Sequence, residues 1–98
     1  MNRQLAIRTL KAHEAELRAL GVQRLSLFGS VARGEAGPKS DVDIAAQFDP
    51  GADVGMIKFG LIDRRLHELL GVNVDLLGEP ARGTRMQTQI DRDRVRVF

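Results

Sequence analysis

The chain has 98 residues, of which 43% are hydrophobic and 29% charged, and this composition predicts one globular domain over residues 1–98. It contains no cysteine and no apolar stretch near the roughly 20 residues that span a bilayer, so disulfides, thiolate metal sites and membrane-spanning helices are excluded and a cytoplasmic location is expected. A net charge of +2, scattered arginines and only four aromatic residues argue against direct binding of nucleic acid.

The first third of the chain predicts a helix, a buried strand and a loop. Apolar residues recur at helical spacing over residues 2–20, and Gly21 follows as a suitable helix cap. Residues 24–28 form a short apolar run that stops at Gly29, which indicates a buried strand. Residues 34–39 contain two Gly and one Pro, which is typical of a loop.

The middle of the chain predicts two more strands with a helix between them. Polar and apolar residues alternate over residues 42–48, so this strand has one apolar and one polar face. An apolar stripe at helical spacing predicts a helix over residues 53–70, with Asp53 as its N-cap. Residues 72–77 alternate again and predict the next strand.

The end of the chain has weaker signals. Residues 82–93 are a helix candidate with only Met86 and Ile90 as sizeable apolar residues, and Val95 and Val97 alternate with arginines as in a short edge strand. The complete order of elements predicts a mixed α/β domain, in which a small sheet of three to four strands has helices packed on one side.

Three aspartates fall on the polar faces of two predicted strands. Asp41 and Asp43 are separated by one residue, so both project from the same face with Cα atoms about 6–7 Å apart. Asp75 lies on the polar face of residues 72–77 and completes the cluster if the two strands are neighbours. Carboxylate oxygens suit Mg²⁺ or Mn²⁺, and a bound dication would relieve the repulsion among three like charges.

The turn after residue 28 has the features of a phosphate-binding site. A Gly-Ser pair at the end of a strand, opening a helical turn, lets backbone N–H groups approach phosphate closely. The hydroxyl of Ser30 adds a donor, and Arg33 follows one turn later with its charge available to phosphate. Phosphates at Gly29 and metal ions at the aspartate pair would thus hold opposite ends of one triphosphate.

The pattern Gly29-Ser30, ten intervening residues and then Asp41-Val42-Asp43 resembles the signature of the DNA polymerase beta-like nucleotidyltransferase superfamily. Within that superfamily, the short chain and the Gly-Ser-Val-Ala-Arg-Gly segment at residues 29–34 are similar to the minimal nucleotidyltransferases, known as MNT proteins. The resemblance covers nearly the whole chain, and after Pro80 it holds only in general outline.

The resemblance implies a role for each matching position. Asp41 and Asp43 would bind two divalent metal ions, Mg²⁺ or Mn²⁺. Asp75 would bind the ion that activates the attacking hydroxyl and would help to deprotonate it. The residues expected to hold the nucleoside triphosphate are Gly29 and Ser30, with Arg33 and Ser40 as helpers.

MNT proteins are commonly paired with HEPN-domain proteins, which are helical RNase toxins. In that pairing the MNT protein is the antitoxin, and some members transfer AMP from ATP to a tyrosine of the toxin. The resemblance therefore implies a protein adenylyltransferase that uses ATP as substrate and has an HEPN toxin as partner.

Two alternatives stay open on the sequence alone. One is an antitoxin that neutralises its partner by binding, although a protein that only binds has no physical need for three converging carboxylates. The other is a nucleotidyltransferase for a small molecule such as an aminoglycoside. Members of that kind resemble this chain in the same motif but usually carry an additional helical domain.

Overall fold

The computed structural model describes residues 1–98 and contains five α-helices and four β-strands. The helices are α1 (Arg3–Ala12), α2 (Glu14–Ala19), α3 (Gly29–Arg33), α4 (Met56–Leu70) and α5 (Thr84–Asp93). The strands are β1 (Val22–Phe28), β2 (Val42–Phe48), β3 (Val74–Gly78) and β4 (Val95–Arg96). None of the helices combines the length and the apolar character that are needed to cross a membrane.

The four strands form one mixed sheet in the order β3-β2-β1-β4. β1 runs antiparallel to both β2 and β4, whereas β2 and β3 are parallel. Parallel neighbours need a long crossover connection, and α4 supplies it. The predicted mixed α/β class and the predicted number of strands are both confirmed.

The main core lies between one face of the sheet and the first, second and fourth helices. On the sheet side, Val42, Ile44 and Ala46 of the predicted apolar face of β2 are fully buried, whereas Phe48 of the same face is half-buried. Leu25 and Leu27 of β1 are fully buried as well. The helices contribute the side chains of Leu10, Leu17, Ile62 and Leu66, none of which is exposed. Each such side chain stabilises the fold by about 1.5–3 kcal/mol when it leaves water. The main core contains most of the buried apolar residues of the chain.

The opposite face of the sheet is covered by α5. Ile90 packs there against Phe28 and Ala45, with Leu77 and Ala81 at the edge of the contact. The prediction of helices on one side therefore describes α1, α2 and α4, whereas α5 occupies the polar face of β2. A single deeply buried side chain gave too weak a periodic signal for this placement to be read from the sequence.

Two helix boundaries differ from the sequence prediction. The expected helix over residues 2–20 is broken at His13, whose φ of −109° and ψ of 20° separate α1 from α2. Asp53 is not the N-cap of α4, because it adopts a left-handed conformation after a short 3₁₀ turn at Pro50–Ala52, and α4 begins at Met56. The Asp49 side chain accepts a hydrogen bond from the N–H of Gly51, so this turn competes with an earlier helix start.

Candidate active site

The strand register brings two of the predicted carboxylates side by side. Asp43 lies opposite Asp75 in the parallel β2–β3 ladder and opposite Phe28 in the antiparallel β1–β2 ladder. Paired residues on neighbouring strands are about 5 Å apart and project from the same face of the sheet. Asp41 is exposed immediately before β2, two residues from Asp43. The three aspartates therefore share one end of the sheet, on the face that carries α5.

Gly29 leaves the space that the Asp43 carboxylate occupies. Its φ is +74°, a conformation that favours glycine. A Cβ atom at this position would lie 2.1 Å from Oδ2 of Asp43 and 3.1 Å from its Cγ, so any side chain here would force the carboxylate to move. The turn predicted to bind phosphate and the carboxylate predicted to bind metal are thus in direct contact.

The surroundings of Asp43 disfavour its negative charge. Burial has the largest effect in raising the pKa of this carboxyl group, and the nearby negative charges of Asp75 and then Asp41 raise it further. Arg33 has the opposite and smaller effect on the pKa of Asp43. A cation at this position would relieve the repulsion, so the electrostatics of the site favour a positively charged ligand.

The donor chemistry of the three aspartates fits a hard divalent cation. All three offer carboxylate oxygens, which Mg²⁺ and Mn²⁺ prefer, and Mg²⁺ also retains several water or phosphate ligands. No three carboxylate or imidazole side chains of the chain already stand close enough together to hold a metal ion. The site is therefore suited to such an ion in ligand type, and the protein alone does not form a closed metal cage.

Ser30 lies in the first turn of α3, directly after the Gly29 turn. Its side chain is half-buried, and its carbonyl accepts a hydrogen bond from the N–H of Glu35 at 2.9 Å. α3 ends at Gly34, which is left-handed with a φ of 75°. The first N–H groups of any helix lack partners within the helix, and those of α3 begin beside the Asp43 carboxylate.

The guanidinium group of Arg33 is hydrogen-bonded to Asp93, near the C-terminus. Its Nη1 donates to Oδ2 of Asp93 at 2.7 Å, and its Nε donates to Oε2 of Glu35 at 3.0 Å. The Asp93 side chain is only 4% exposed, whereas that of Arg33 is 39% exposed. Arg33 therefore contributes positive charge near Asp43 while its guanidinium group is bonded to other carboxylates.

Ser40 stabilises the loop to which it belongs and also faces an open cleft. Its Oγ accepts a hydrogen bond from the N–H of Gly37 at 3.0 Å and so stabilises the loop before β2. It also lines a polar cleft of about 640 Å³ next to Asp41. The residues lining this cleft are Pro38, Lys39, Ser40 and Asp41 on one side and His67, Gly71, Val72 and Asn73 on the other.

Two residues of the site region were not singled out from the sequence. Asp93 lies 60 residues from Arg33, so no local pattern could link the two. Asn73 borders the cleft. It could have been predicted as a site residue, because it lies two residues before Asp75 on the same polar face of the predicted strand. His67 was interpreted as a surface or boundary histidine, and it is half-buried on the cleft wall, 3.5 Å from Asp63.

Comparison with known proteins finds a family model and relatives that match most of the chain. The family model described as "Nucleotidyltransferase domain" matches residues 10–97. The chain is 44% identical over 69 residues to the protein adenylyltransferase MntA of Thermococcus cleftensis, and the match covers 69% of this chain and 68% of that protein.

Solved structures with the same fold include two informative neighbours. One is a minimal nucleotidyltransferase with a TM-score of 0.79 and 31% identity, and the match covers 97% of this chain and 95% of that one. The other is a toxin-antitoxin crystal structure with AMP-PNP, with a TM-score of 0.72 and 25% identity over 90% of this chain and 72% of that one.

Proposed function

Since this chain belongs to the nucleotidyltransferase domain family, we propose that it transfers AMP from ATP to a tyrosine hydroxyl of an HEPN-domain toxin and so acts as an antitoxin. The observation that carries this proposal is the direct contact between the Gly29 turn and the carboxylate of Asp43. This contact combines a place for phosphates with a place for cations in one site. The proposed enzyme is a single domain over residues 1–98 that acts in the cytoplasm.

The names of similar proteins support the choice of nucleotide and of partner. The Thermococcus cleftensis relative is named a protein adenylyltransferase, which indicates AMP as the transferred group and a protein as acceptor. The neighbour solved with AMP-PNP is a toxin-antitoxin complex, which indicates an adenine nucleotide and a toxin partner. The tyrosine and the HEPN domain follow from the resemblance of the sequence motif to MNT proteins.

In the proposed reaction, the tyrosine oxygen attacks the α-phosphorus of ATP. A bond forms between these two atoms, the bond from the α-phosphorus to the oxygen that bridges to the β-phosphorus breaks, and pyrophosphate leaves. The proton of the hydroxyl passes to the carboxylate of Asp75. The N–H groups after Gly29 and the Ser30 hydroxyl hold the departing phosphates, with Arg33 supporting that region, while Ser40 supports the nucleotide site indirectly, by stabilising the loop before β2 that carries Asp41.

Asp41, Asp43 and Asp75 are the residues that would hold two Mg²⁺ or Mn²⁺ ions. When bound, such ions supply positive charge that stabilises the attacking and leaving oxygens of an in-line displacement. The raised pKa of Asp43 supports this assignment, because the carboxylate gains a favourable partner when a cation binds. Nucleotide and cation are therefore expected to bind cooperatively.

The proposal is tested by mass spectrometry of both proteins after incubation. Purified chain, the HEPN-domain protein, ATP and Mg²⁺ are mixed, and the intact masses are measured. Each transferred AMP adds a fixed mass to the partner, and the variant Asp41→Asn/Asp43→Asn should give none. A matched control is Asp53→Asn, because Asp53 is an exposed aspartate outside the site and Asn tolerates its left-handed backbone.

Other outcomes separate the alternative functions. A stable complex whose masses stay unchanged, and protection of cells that survives Asp41→Asn/Asp43→Asn, would identify an antitoxin that works by binding alone. Transfer of AMP to an aminoglycoside with no transfer to the protein would instead identify a small-molecule nucleotidyltransferase. Either result would contradict the proposed protein acceptor.

A further inference from the structure

A polar cleft of about 640 Å³ adjoins the site, with Asp41 in its lining. One wall is formed by residues 38–41 and the other by residues 71–73 together with His67. The N–H of Val42 donates to the carbonyl of Asn73 at 3.0 Å, so the walls are joined where β2 and β3 begin. The cleft is therefore fixed in position relative to the strands that carry the aspartates.

The strand order determines which side of the site an acceptor reaches. The Gly29 turn follows β1, Asp43 is on β2 and Asp75 is on β3, so the turn and Asp75 lie on opposite sides of Asp43. The cleft is lined by the residues that precede β2 and β3, Asp41 among them. In-line displacement places the attacking and the leaving oxygens on opposite sides of the phosphorus. If the pyrophosphate leaves toward Gly29, the attacking oxygen approaches from the side of β3, and the residues before β3 form one wall of the cleft.

We propose that this cleft receives the polypeptide segment that carries the acceptor hydroxyl, an inference that rests on the proposed function. The cleft is open to solvent and has a volume of about 640 Å³, so a segment of a partner protein can lie in it without entering the interior. The Lys39 ammonium and the Asn73 amide offer hydrogen-bond donors, and most of the lining is polar. The segment beside the acceptor tyrosine is accordingly polar, with carbonyl or carboxylate oxygens that face these two side chains.

Steady-state kinetics with two substrates tests this assignment. Asn73→Trp fills the cleft and Lys39→Glu reverses the charge of its lysine, and both should raise KM for the HEPN-domain partner at least about tenfold while changing KM for ATP less than about twofold. The matched control is Lys11→Glu, which makes the same charge change in the last turn of α1. That control should leave both KM values unchanged.

Cross-linking gives a second readout that does not depend on turnover. The chain contains no cysteine, so Asn73→Cys can be labelled at a single position with a benzophenone maleimide. After irradiation with the HEPN-domain partner, the label should be attached to the partner peptide that contains the adenylylated tyrosine. Lys11→Cys, labelled in the same way, should give no cross-link to that peptide.

The outcomes distinguish failure of this inference from failure of the proposed function. A raised KM for ATP with an unchanged KM for the partner would overturn the inference and assign the cleft to the nucleotide. Partner masses that stay unchanged with the wild-type protein would overturn the proposed transfer. If the partner masses stay unchanged and no cross-link forms from position 73, the cleft assignment is overturned as well. If the partner masses stay unchanged but the cross-link forms, the partner's chain does enter the cleft.

Discussion

At the scale of single residues, Gly29 combines two separate requirements. Its φ of +74° favours glycine, and its missing side chain leaves room for the Asp43 carboxylate. Gly34 has nearly the same φ, +75°, but no atom lies within 4 Å of the position that its Cβ would take. A comparison of substitutions at these two glycines therefore distinguishes the effect of backbone strain from the effect of displacing the Asp43 carboxylate.

We expect Gly29→Ala to lower AMP transfer at least roughly 100-fold, since a shift of about 1 Å in a reacting group has an effect of that size. Gly34→Ala should retain most of the transfer and lose about 1–2 kcal/mol of unfolding free energy from its left-handed backbone. Gly29→Ala should lose at least as much, because the Asp43 carboxylate must also move. Transfer rates and urea denaturation of both variants check this. Equal losses of transfer would show that backbone strain alone explains the need for Gly29.

Asp43 illustrates a residue whose charge is unfavourable to folding. Burial and the charges of Asp75 and Asp41 raise its pKa, so the ionised form destabilises the folded protein at neutral pH, and this cost decreases as the pH falls toward the raised pKa. Asp43→Asn should therefore raise the melting temperature in EDTA while abolishing transfer.

Mg²⁺ should raise the melting temperature of the wild-type protein more than that of Asp43→Asn, because the variant has lost both the repulsion and the ligand. Asp53→Asn, outside the site, should respond to Mg²⁺ as the wild type does. A stabilisation by Mg²⁺ that is equal in all three proteins would place the cation elsewhere. Differential scanning fluorimetry with and without EDTA measures these shifts.

At the scale of the elements, α4 has a buried and an exposed face with one isoleucine on each. Ile62 is fully buried in the main core, whereas Ile57 is 82% exposed. Removing one methylene should lower the unfolding free energy by about 0.5–1.5 kcal/mol for Ile62→Val. The same change at Ile57 should stay within about 0.5 kcal/mol of wild type. Chemical denaturation of both variants makes the comparison, and equal effects would contradict the burial of this face.

The C-terminal elements also take part in building the site. α5 covers the sheet face that carries Asp43 and provides Asp93 for the bond to Arg33, while β4 pairs with β1. Arg94 adds a second connection, since its Nη1 donates to Oε1 of Glu79 at 2.8 Å and to Oγ of Ser26 at 3.1 Å. The segment after Pro80 is thus part of the fold.

For the molecule as a whole, the bond between Glu79 and Arg94 predicts a specific dependence of stability on pH. Hydrogen bonding from Arg94, and to a smaller extent from Gln87, lowers the pKa of Glu79 in the folded protein below its ordinary value of 4.5. A lowered carboxyl pKa stabilises the fold above that ordinary value, and the stabilisation is lost as the pH falls through the folded-state pKa.

Glu79→Gln should therefore lower the unfolding free energy at neutral pH by about 1–3 kcal/mol, because the Glu79 side chain is only 5% exposed and hydrogen bonds to charged groups contribute about that much when buried. The difference from wild type should narrow below pH 4.5. Glu68→Gln is the control, because Glu68 is 54% exposed and its Oε1 lies 3.7 Å from Nε of Arg64. Denaturation curves over a pH series measure both, and a difference independent of pH would refute the proposed role of the charge.

The sequence by itself determined the features that depend on local periodicity and spacing. Alternation predicted β2 with its bounds Val42–Phe48, and the two glycines and the proline predicted the loop over residues 34–39. The spacing of Gly29-Ser30 from Asp41 and Asp43 predicted the nucleotidyltransferase family. These signals are readable because each arises from residues close together in the chain.

Only the tertiary structure decided which distant residues meet. The pairing of Asp43 with Asp75 depends on β2 and β3 being neighbours, and the placement of α5 on the sheet face that carries Asp43 depends on Ile90 packing against Phe28. The bond from Arg33 to Asp93 and the cleft beside Asn73 likewise join segments far apart in sequence. Such contacts are selected by packing and charge among all the elements together, and no local pattern encodes them.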